Sequence, residues 1–316
     1  MMLRWGFIGA GNIATRALAP AVHKSLTSSI YAVASRDTNR SQALSPTKVH
    51  ASYGDLIADA DVDAVYISLA NHQHAEWAIK ALQAGKHVLC EKPLASTHAE
   101  AKLMADAARI SGKLLVEAVW TRWHPRFIRA MQLIKSGDLG HVVQVDSCFT
   151  FNKDVSENYR GDPAMGGGAL LDVGLYEIHL WRALSDATFD IKITSVQQNM
   201  SSAGVDLTTE IVTTSSQGAK LNALSSFEMP SKQQISIVAS VNSINFAHSE
   251  AFTSWKEASR LAIGDHTEEF EAVDAYQLMV DGFTAHALGA DGWILPIQES
   301  LDVMRLLDEV KKFAQS

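Results

Sequence analysis

At 316 residues the chain is too long for one ordinary core and fits two domains of roughly 100–200 residues each. Hydrophobic residues at 47% and charged residues at 20% give the balance of a globular protein and exclude a disordered one. A net charge of -8, with no run of lysine or arginine, argues against nucleic acid, because phosphate-backbone binding relies on clustered positive charge. The two cysteines, Cys90 and Cys148, cannot build a disulfide framework and read as small buried hydrophobes in a reducing cytoplasm. The opening Met1-Met2-Leu3-Arg4-Trp5-Gly6-Phe7-Ile8-Gly9 is too short an apolar run for a signal peptide. No stretch approaches the ~20 apolar residues of a membrane span, so a cytoplasmic protein without a membrane partner is expected.

The first third alternates short apolar runs with helical patterns, which predicts βαβ units around a parallel sheet. Strands are expected at residues 4–8, 29–35, 64–68, 87–90 and 114–117, with helices at 13–24, 55–60, 73–84 and 97–111. Gly85 stands just past the third helix, as a C′ glycine does. Ser96 or Thr97 is placed to cap the fourth, with Glu100 completing a capping box after Thr97. After about residue 120 the rhythm changes. A helix at 125–136 precedes a strand at 141–152 and a glycine-rich helix at 168–184. Residues 191–273 read as successive strands joined by short turns such as Ser215-Ser216-Gln217-Gly218, which predicts a large, mostly antiparallel open sheet. Pro296 then starts a helix carrying Ile297, Leu301, Met304, Leu307 and Val310 at helical spacing. The expected fold is α/β: a dinucleotide-binding domain over 1–119, a substrate and oligomerisation domain over 120–295, and a C-terminal helix over 296–316 packing back on the first domain.

Gly9-Ala10-Gly11-Asn12-Ile13-Ala14 follows an apolar strand and opens a helix, the context that separates a dinucleotide fingerprint from a chance match. Gly9 permits the tight turn, Gly11 lets the backbone approach a pyrophosphate, and the helix N-terminus offers free N–H groups. A structural turn without a ligand is the plain alternative. The second strand ends in Ser35-Arg36-Asp37. An NAD site usually places a carboxylate there for the ribose 2′-hydroxyl, whereas a guanidinium suits a 2′-phosphate. NADP is therefore the expected cofactor, and Asp37 leaves NAD use open. Glu91-Lys92-Pro93 ends the apolar run Val88-Leu89-Cys90, which aims a proton-handling Lys92 into the crevice where parallel sheets bind ligands.

In Met165-Gly166-Gly167-Gly168-Ala169-Leu170-Leu171-Asp172-Val173-Gly174-Leu175-Tyr176-Glu177-Ile178-His179, the residues Asp172, Tyr176 and His179 fall on one helix face between apolar flanks. Such a stripe suits a cleft wall, while a buried structural aspartate–tyrosine pair and a packing His179 remain the plainer readings. Asn71-His72-Gln73-His74 follows the strand at 64–68, at the edge where the cofactor is expected. His72 and His74 diverge on a helix and no histidine pair has zinc spacing, so no metal is expected. Glu117-Ala118-Val119-Trp120-Thr121-Arg122-Trp123-His124-Pro125 joins the domains. Arg122 and Trp123 fit either a substrate wall or interdomain packing.

With these residues in place, the chain resembles the glucose–fructose oxidoreductase/inositol dehydrogenase family over nearly its whole length. The likeness is carried by the glycine turn, Asn71 with His74, Gly85-Lys86-His87-Val88-Leu89-Cys90-Glu91-Lys92-Pro93-Leu94-Ala95, and the segment from Gly166 to Tyr176. Gly167-Gly168-Ala169-Leu170-Leu171-Asp172-Val173-Gly174-Leu175-Tyr176 and Glu117-Ala118-Val119-Trp120-Thr121-Arg122 are similar to the branch containing dimeric dihydrodiol dehydrogenase and NADP-dependent D-xylose dehydrogenase. The resemblance implies a Rossmann domain, a second domain whose open sheet forms a homodimer, and catalytic roles for Lys92, Asp172 and Tyr176. It implies cofactor contacts from Gly9, Gly11, Asn12, Ile13, Ser35, Arg36, Asn71, His74, Glu91 and Lys92, and substrate contacts from Arg122, Trp123, Asp172, Tyr176 and His179. Two departures stand out: Tyr176 where many relatives have histidine, and Leu69-Ala70 where many have threonine-proline.

The expected activity is NADP-dependent transfer of a hydride between nicotinamide and a hydroxyl-bearing carbon of a sugar or cyclic diol, of D-xylose 1-dehydrogenase or trans-dihydrodiol dehydrogenase type. Tyr176 would exchange the hydroxyl proton, helped by Lys92. A non-catalytic NADP-sensing regulator of the same fold is the rival from another class. A third reading keeps the cofactor bound and uses it for hidden redox steps.

Overall fold

A computed structural model describes residues 1–185, 189–246 and 251–316, which form two compact units. The first comprises Met1–Trp120 with Asp274–Leu301, the second Thr121–Val273 with Asp302–Ser316. The first boundary falls one residue from the expected 119. Residues 274–295 group with the first unit instead of the second, and the C-terminal helix divides at Leu301, most of it grouping with the second unit rather than the first.

The first unit is a six-stranded parallel sheet: β1 (Leu3–Ile8), β2 (Ser28–Ala34), β3 (Lys48–Val49), β4 (Ala64–Ile67), β5 (His87–Cys90) and β6 (Leu115–Glu117), in the order β3-β2-β1-β4-β5-β6. Strands covered on both faces must be apolar throughout, and Val65, Tyr66, Val88 and Leu89 are all fully enclosed. Strand order reverses between β1 and β4, which opens a crevice at their C-terminal ends. The helix Ala275–Ala287 packs Phe283 on Trp5 with ring centroids 4.9 Å apart and brings the Thr284 hydroxyl 2.7 Å from that of Ser28. Thr97 caps the helix His98–Ser111, with the reciprocal Glu100 contact in place. Gly85 has φ +78°, past the helix His74–Gln83.

The second unit is built on an eight-stranded sheet. Its strands are β7 (Val142–Asn152), β8 (Ile191–Met200), β9 (Asp206–Ser215), β10 (Lys220–Ser226), β11 (Glu228–Ala239), β12 (Ser243–Asn245), β13 (Ser259–Ile263) and β14 (His266–Phe270). They lie in the order β14-β13-β12-β11-β7-β10-β9-β8, antiparallel except where β10 runs parallel to β7. Residues 247–250 of the stretch read as strands lie outside the described residues. Along β11, Ile235, Ile237 and Ala239 are buried while Gln234 and Val238 are exposed, the period-two signature of a sheet covered on one face. The helix Leu175–Leu184 packs against β10 and β7 and is buried over nearly all its length.

Candidate active site

The nucleotide end of the first unit is shaped by what its glycines leave out. Gly9 has φ +91°, and a Cβ there would stand 2.5 Å from the Ser68 carbonyl oxygen, so the turn after β1 presses against the chain leaving β4. Asn12 is exposed and Ile13 half-buried at the rim of this turn. The following residues, Ala14–Leu18, wind as one π-helical turn before the α-helix Ala19–Lys24. A bare turn at the point where strand order reverses, leading into a helix, fits a dinucleotide pyrophosphate.

After β2, the Ser35 hydroxyl donates to the Asp37 carbonyl at 2.6 Å and lies 2.8 Å from the Ser41 hydroxyl. Asp37 is the N-cap of the helix Thr38–Ala43, its Oδ1 accepting from Asn39 N at 2.8 Å and Arg40 N at 3.2 Å. Arg36 and Arg40 are exposed. The carboxylate at this strand end is thus held by its own helix, while the guanidinium beside it faces outward.

The Glu91-Lys92-Pro93 segment is held from beneath by two buried carboxylates. Glu91 Oε1 accepts from the Tyr66 hydroxyl at 2.7 Å and Oε2 from Lys92 N at 3.2 Å. Burial pushes the Glu91 carboxyl up to about 7, against the lowering effects of Tyr66 and Lys92. Glu117 Oε1 accepts from Leu94 N at 2.9 Å. The Lys92–Pro93 peptide is cis and Lys92 is half-buried. His74 is fully enclosed, with Nδ1 2.8 Å from the Pro93 carbonyl oxygen and Nε2 3.2 Å from that of Leu69. Burial lowers its pKa. The His74 ring thus lies inside the unit and ties together the loops after β4 and β5. Asn71 is buried at the start of the same segment.

In the second unit, Asp172 lies in a π-helical turn, Leu170–Gly174, that runs into the helix Leu175–Leu184. This is a departure from the expected continuous α-helix, and π turns are frequent at functional sites. The turn starts on Asp206, whose Oδ2 accepts from Leu170 N and from the Thr209 hydroxyl, both at 2.7 Å. Burial raises the Asp206 pKa. Gly168, with φ +110°, has no room for a Cβ beside the Asp206 carboxylate. Arg160 Nε donates to Asp172 Oδ2 at 2.6 Å, with Asp172 only 5% exposed. Tyr176, 7% exposed, packs its ring beside the stacked pair Phe149 and Phe252, each 6.0 Å away by ring centroid. Glu177, fully buried, ties the helix to the sheet by accepting from Leu224 N at 3.2 Å.

Of the expected substrate residues, Asp172 and Tyr176 come together in this cluster, and His179 is fully buried on the same helix. Arg122 and Trp123 are buried near the start of the unit, with the Arg122 guanidinium 5.7 Å from the centre of the Phe127 ring. Arg160 and Asp206 were not anticipated. Both are joined to Asp172 or its turn by chain reversals that no local spacing reveals. The only sequence signal was the Gly166-Gly167-Gly168 run, which implies close approach without naming the partner.

Residues 3–118 match the oxidoreductase family with an NAD-binding Rossmann fold, and residues 127–245 match the GFO/IDH/MocA C-terminal domain. The chain is similar to D-xylose 1-dehydrogenase (NADP(+)) 2 of Haloferax volcanii, at 32% identity over 99% of this chain and 98% of that one. It is similar to the trans-1,2-dihydrobenzene-1,2-diol dehydrogenase of Bos taurus, at 28% identity over 99% and 97%. Among solved structures, the 3-ketoreductase KijD10 from Actinomadura kijaniata, in complex with NADP and TDP-benzene, superposes with a TM-score of 0.90 at 27% identity, covering 99% of this chain and 98% of that one. A glycine turn at the sheet's reversal point, the Glu91-Lys92-Pro93 segment and these matches agree: the chain belongs to the GFO/IDH/MocA family of oxidoreductases.

Proposed function

We propose that the chain is an NADP-dependent dehydrogenase acting on CH–OH groups, of the D-xylose 1-dehydrogenase or trans-dihydrodiol dehydrogenase type. Its substrate is a sugar or cyclic diol. The observation that carries the reading is the pairing of buried Asp172 with half-buried Arg160 beside Tyr176, a charged set next to a proton-bearing group. The names of the relatives supply the substrate class.

Gly9, Gly11, Asn12 and Ile13 would hold the pyrophosphate, and Arg36 the 2′-phosphate, with Ser35 shaping its turn. Asn71 and the Glu91-Lys92 segment would frame the nicotinamide end. When bound, the nicotinamide accepts or returns the hydride. The chain's own work is to move the hydroxyl proton and orient the carbon that bears it. Tyr176 exchanges that proton through its phenolic oxygen. A free tyrosine titrates near ~10, so positive charge is needed to make the phenolate accessible near neutral pH, a role the family resemblance gives to Lys92. Asp172 orients the substrate hydroxyls, with Arg122, Trp123 and His179 shaping their surroundings.

Lys92→Met and Tyr176→Phe should each lower kcat by roughly 100-fold or more, the usual scale for losing general acid–base help. Tyr176→Phe should keep its affinity for NADPH. Near-normal turnover in both variants would contradict the mechanism.

A further inference from the structure

We infer that Arg160 is a positioning residue for Tyr176: it fixes the Asp172 carboxylate and offsets its negative charge beside the phenol. The inference rests on the reading of Tyr176 as the group that exchanges the substrate proton.

The backbone fixes Arg160 from both sides. Its N–H donates to the Asn158 side-chain oxygen at 2.9 Å, and its carbonyl accepts from Gly168 N at 2.9 Å. A Cβ on Gly167 would collide with the Arg160 carbonyl, so the glycine run admits this second backbone at the site. The guanidinium then lies between the Tyr159 ring, 4.7 Å from its centre, and Asp172 Oδ2 at 2.6 Å. Burial opposes charge on the Arg160 side chain, yet attraction from Asp172, Tyr159 and Tyr176 holds its pKa above the ordinary value.

Tyr176 needs such a partner. Phe149 and Phe252, stacked on each other, pack beside its ring, and aromatic surroundings disfavour a phenolate. An Asp172 carboxylate one turn earlier disfavours it further by like-charge repulsion. Arg160 cancels that repulsion, and being planar and permanently charged it does so without a proton of its own to lose at working pH. Asp172 thereby keeps a fixed orientation toward substrate hydroxyls without raising the barrier to proton release from Tyr176.

The test reads the Tyr176 phenol directly, by the ultraviolet signal of tyrosinate formation, taken as the difference between each protein and its Tyr176→Phe counterpart. Arg160→Met should move the Tyr176 midpoint upward by roughly one pH unit. Arg160→Lys should recover most of that shift, and Asp172→Asn, with Arg160 in place, should move the midpoint down. An unchanged midpoint in a folded Arg160→Met protein would overturn the inference. If Arg160→Met does not fold, an unmoved midpoint in Asp172→Asn overturns it instead. A shifted midpoint together with normal turnover of Tyr176→Phe would leave the electrostatic pairing standing and remove the proton-exchange role. No shift together with a dead Tyr176→Phe would do the reverse. In the active enzyme, the pH limb of kcat should move with the phenol while KM for NADP stays put.

Discussion

Two neighbouring residues of opposite charge, Arg36 and Asp37, decide how the end of β2 meets a cofactor. The Asp37 carboxylate caps the helix Thr38–Ala43 and accepts from Asn39 and Arg40, so it is engaged before any ribose arrives. Arg36 is exposed and presents the planar donor fork that phosphate recognition uses. Arg36→Ala should weaken NADPH binding by about 1.5–3 kcal/mol, the scale of a hydrogen bond to a charged group, and leave NADH binding within about twofold. Fluorescence titration with both nucleotides measures this directly. Equal losses for both would mean that Arg36 does not read the phosphate. The sequence alone already favoured this arginine, because its place after a strand is a local feature. Arg160 was invisible by the same logic: it pairs with an aspartate twelve positions later through a chain reversal. Likewise, nothing local told that His74 would turn inward onto the Leu69 and Pro93 carbonyls.

At the scale of elements, the helix Leu175–Leu184 carries both chemistry and its own pH dependence. Burial pushes the Glu177 carboxyl up to about 8, against hydrogen bonds from Leu224 N and the Ser147 hydroxyl, and its Oε2 has no hydrogen-bond partner among the described residues. The folded protein therefore keeps a proton that the unfolded chain, titrating near the ordinary 4.5, has already released. Stability from this group is present at low pH and falls as pH rises through that interval. Glu177→Gln keeps the acceptor and removes the titration. It should raise stability by about 1–3 kcal/mol at pH near 8.5 and change little near pH 5, read as a pH series of thermal midpoints. A pH-independent difference would contradict the assignment.

The regular elements were legible where burial imposes a period. The parallel strands β1, β2, β4, β5 and β6 fell within a residue of their expected ends because both faces are covered. The strand β3 is only two exposed residues, and the helix Thr38–Ala43 is a polar segment held by its cap, so neither leaves a hydrophobic pattern. The helix Ala275–Ala287 lies between a strand-rich stretch and Pro296 and is absent from the expected elements, although Tyr276, Met279, Val280 and Phe283 are buried at helical spacing. The π turns at Ala14–Leu18 and Leu170–Gly174 have no sequence period of their own.

For the whole molecule, the two-unit division and the two sheet types follow from the change in rhythm near residue 120. No helix among the described residues is long and apolar enough to cross a membrane. The outward residues of β11, with Gln234 and Val238 exposed on a sheet of eight strands, motivate the proposal that two copies pair through this face. Sedimentation equilibrium should then report twice the mass of one chain; a single-chain mass at micromolar concentration would contradict it. The residues around Tyr176 are proposed to turn substrate over with NADP. The decisive measurement is reduction of NADP by the purified protein across a panel of aldoses and cyclic diols, with Tyr176→Phe measured alongside. Growth of the reduced-cofactor absorbance with at least one substrate, and its loss in the variant, is expected. Tight NADPH binding with no turnover across the panel, or equal turnover in both proteins, would contradict it.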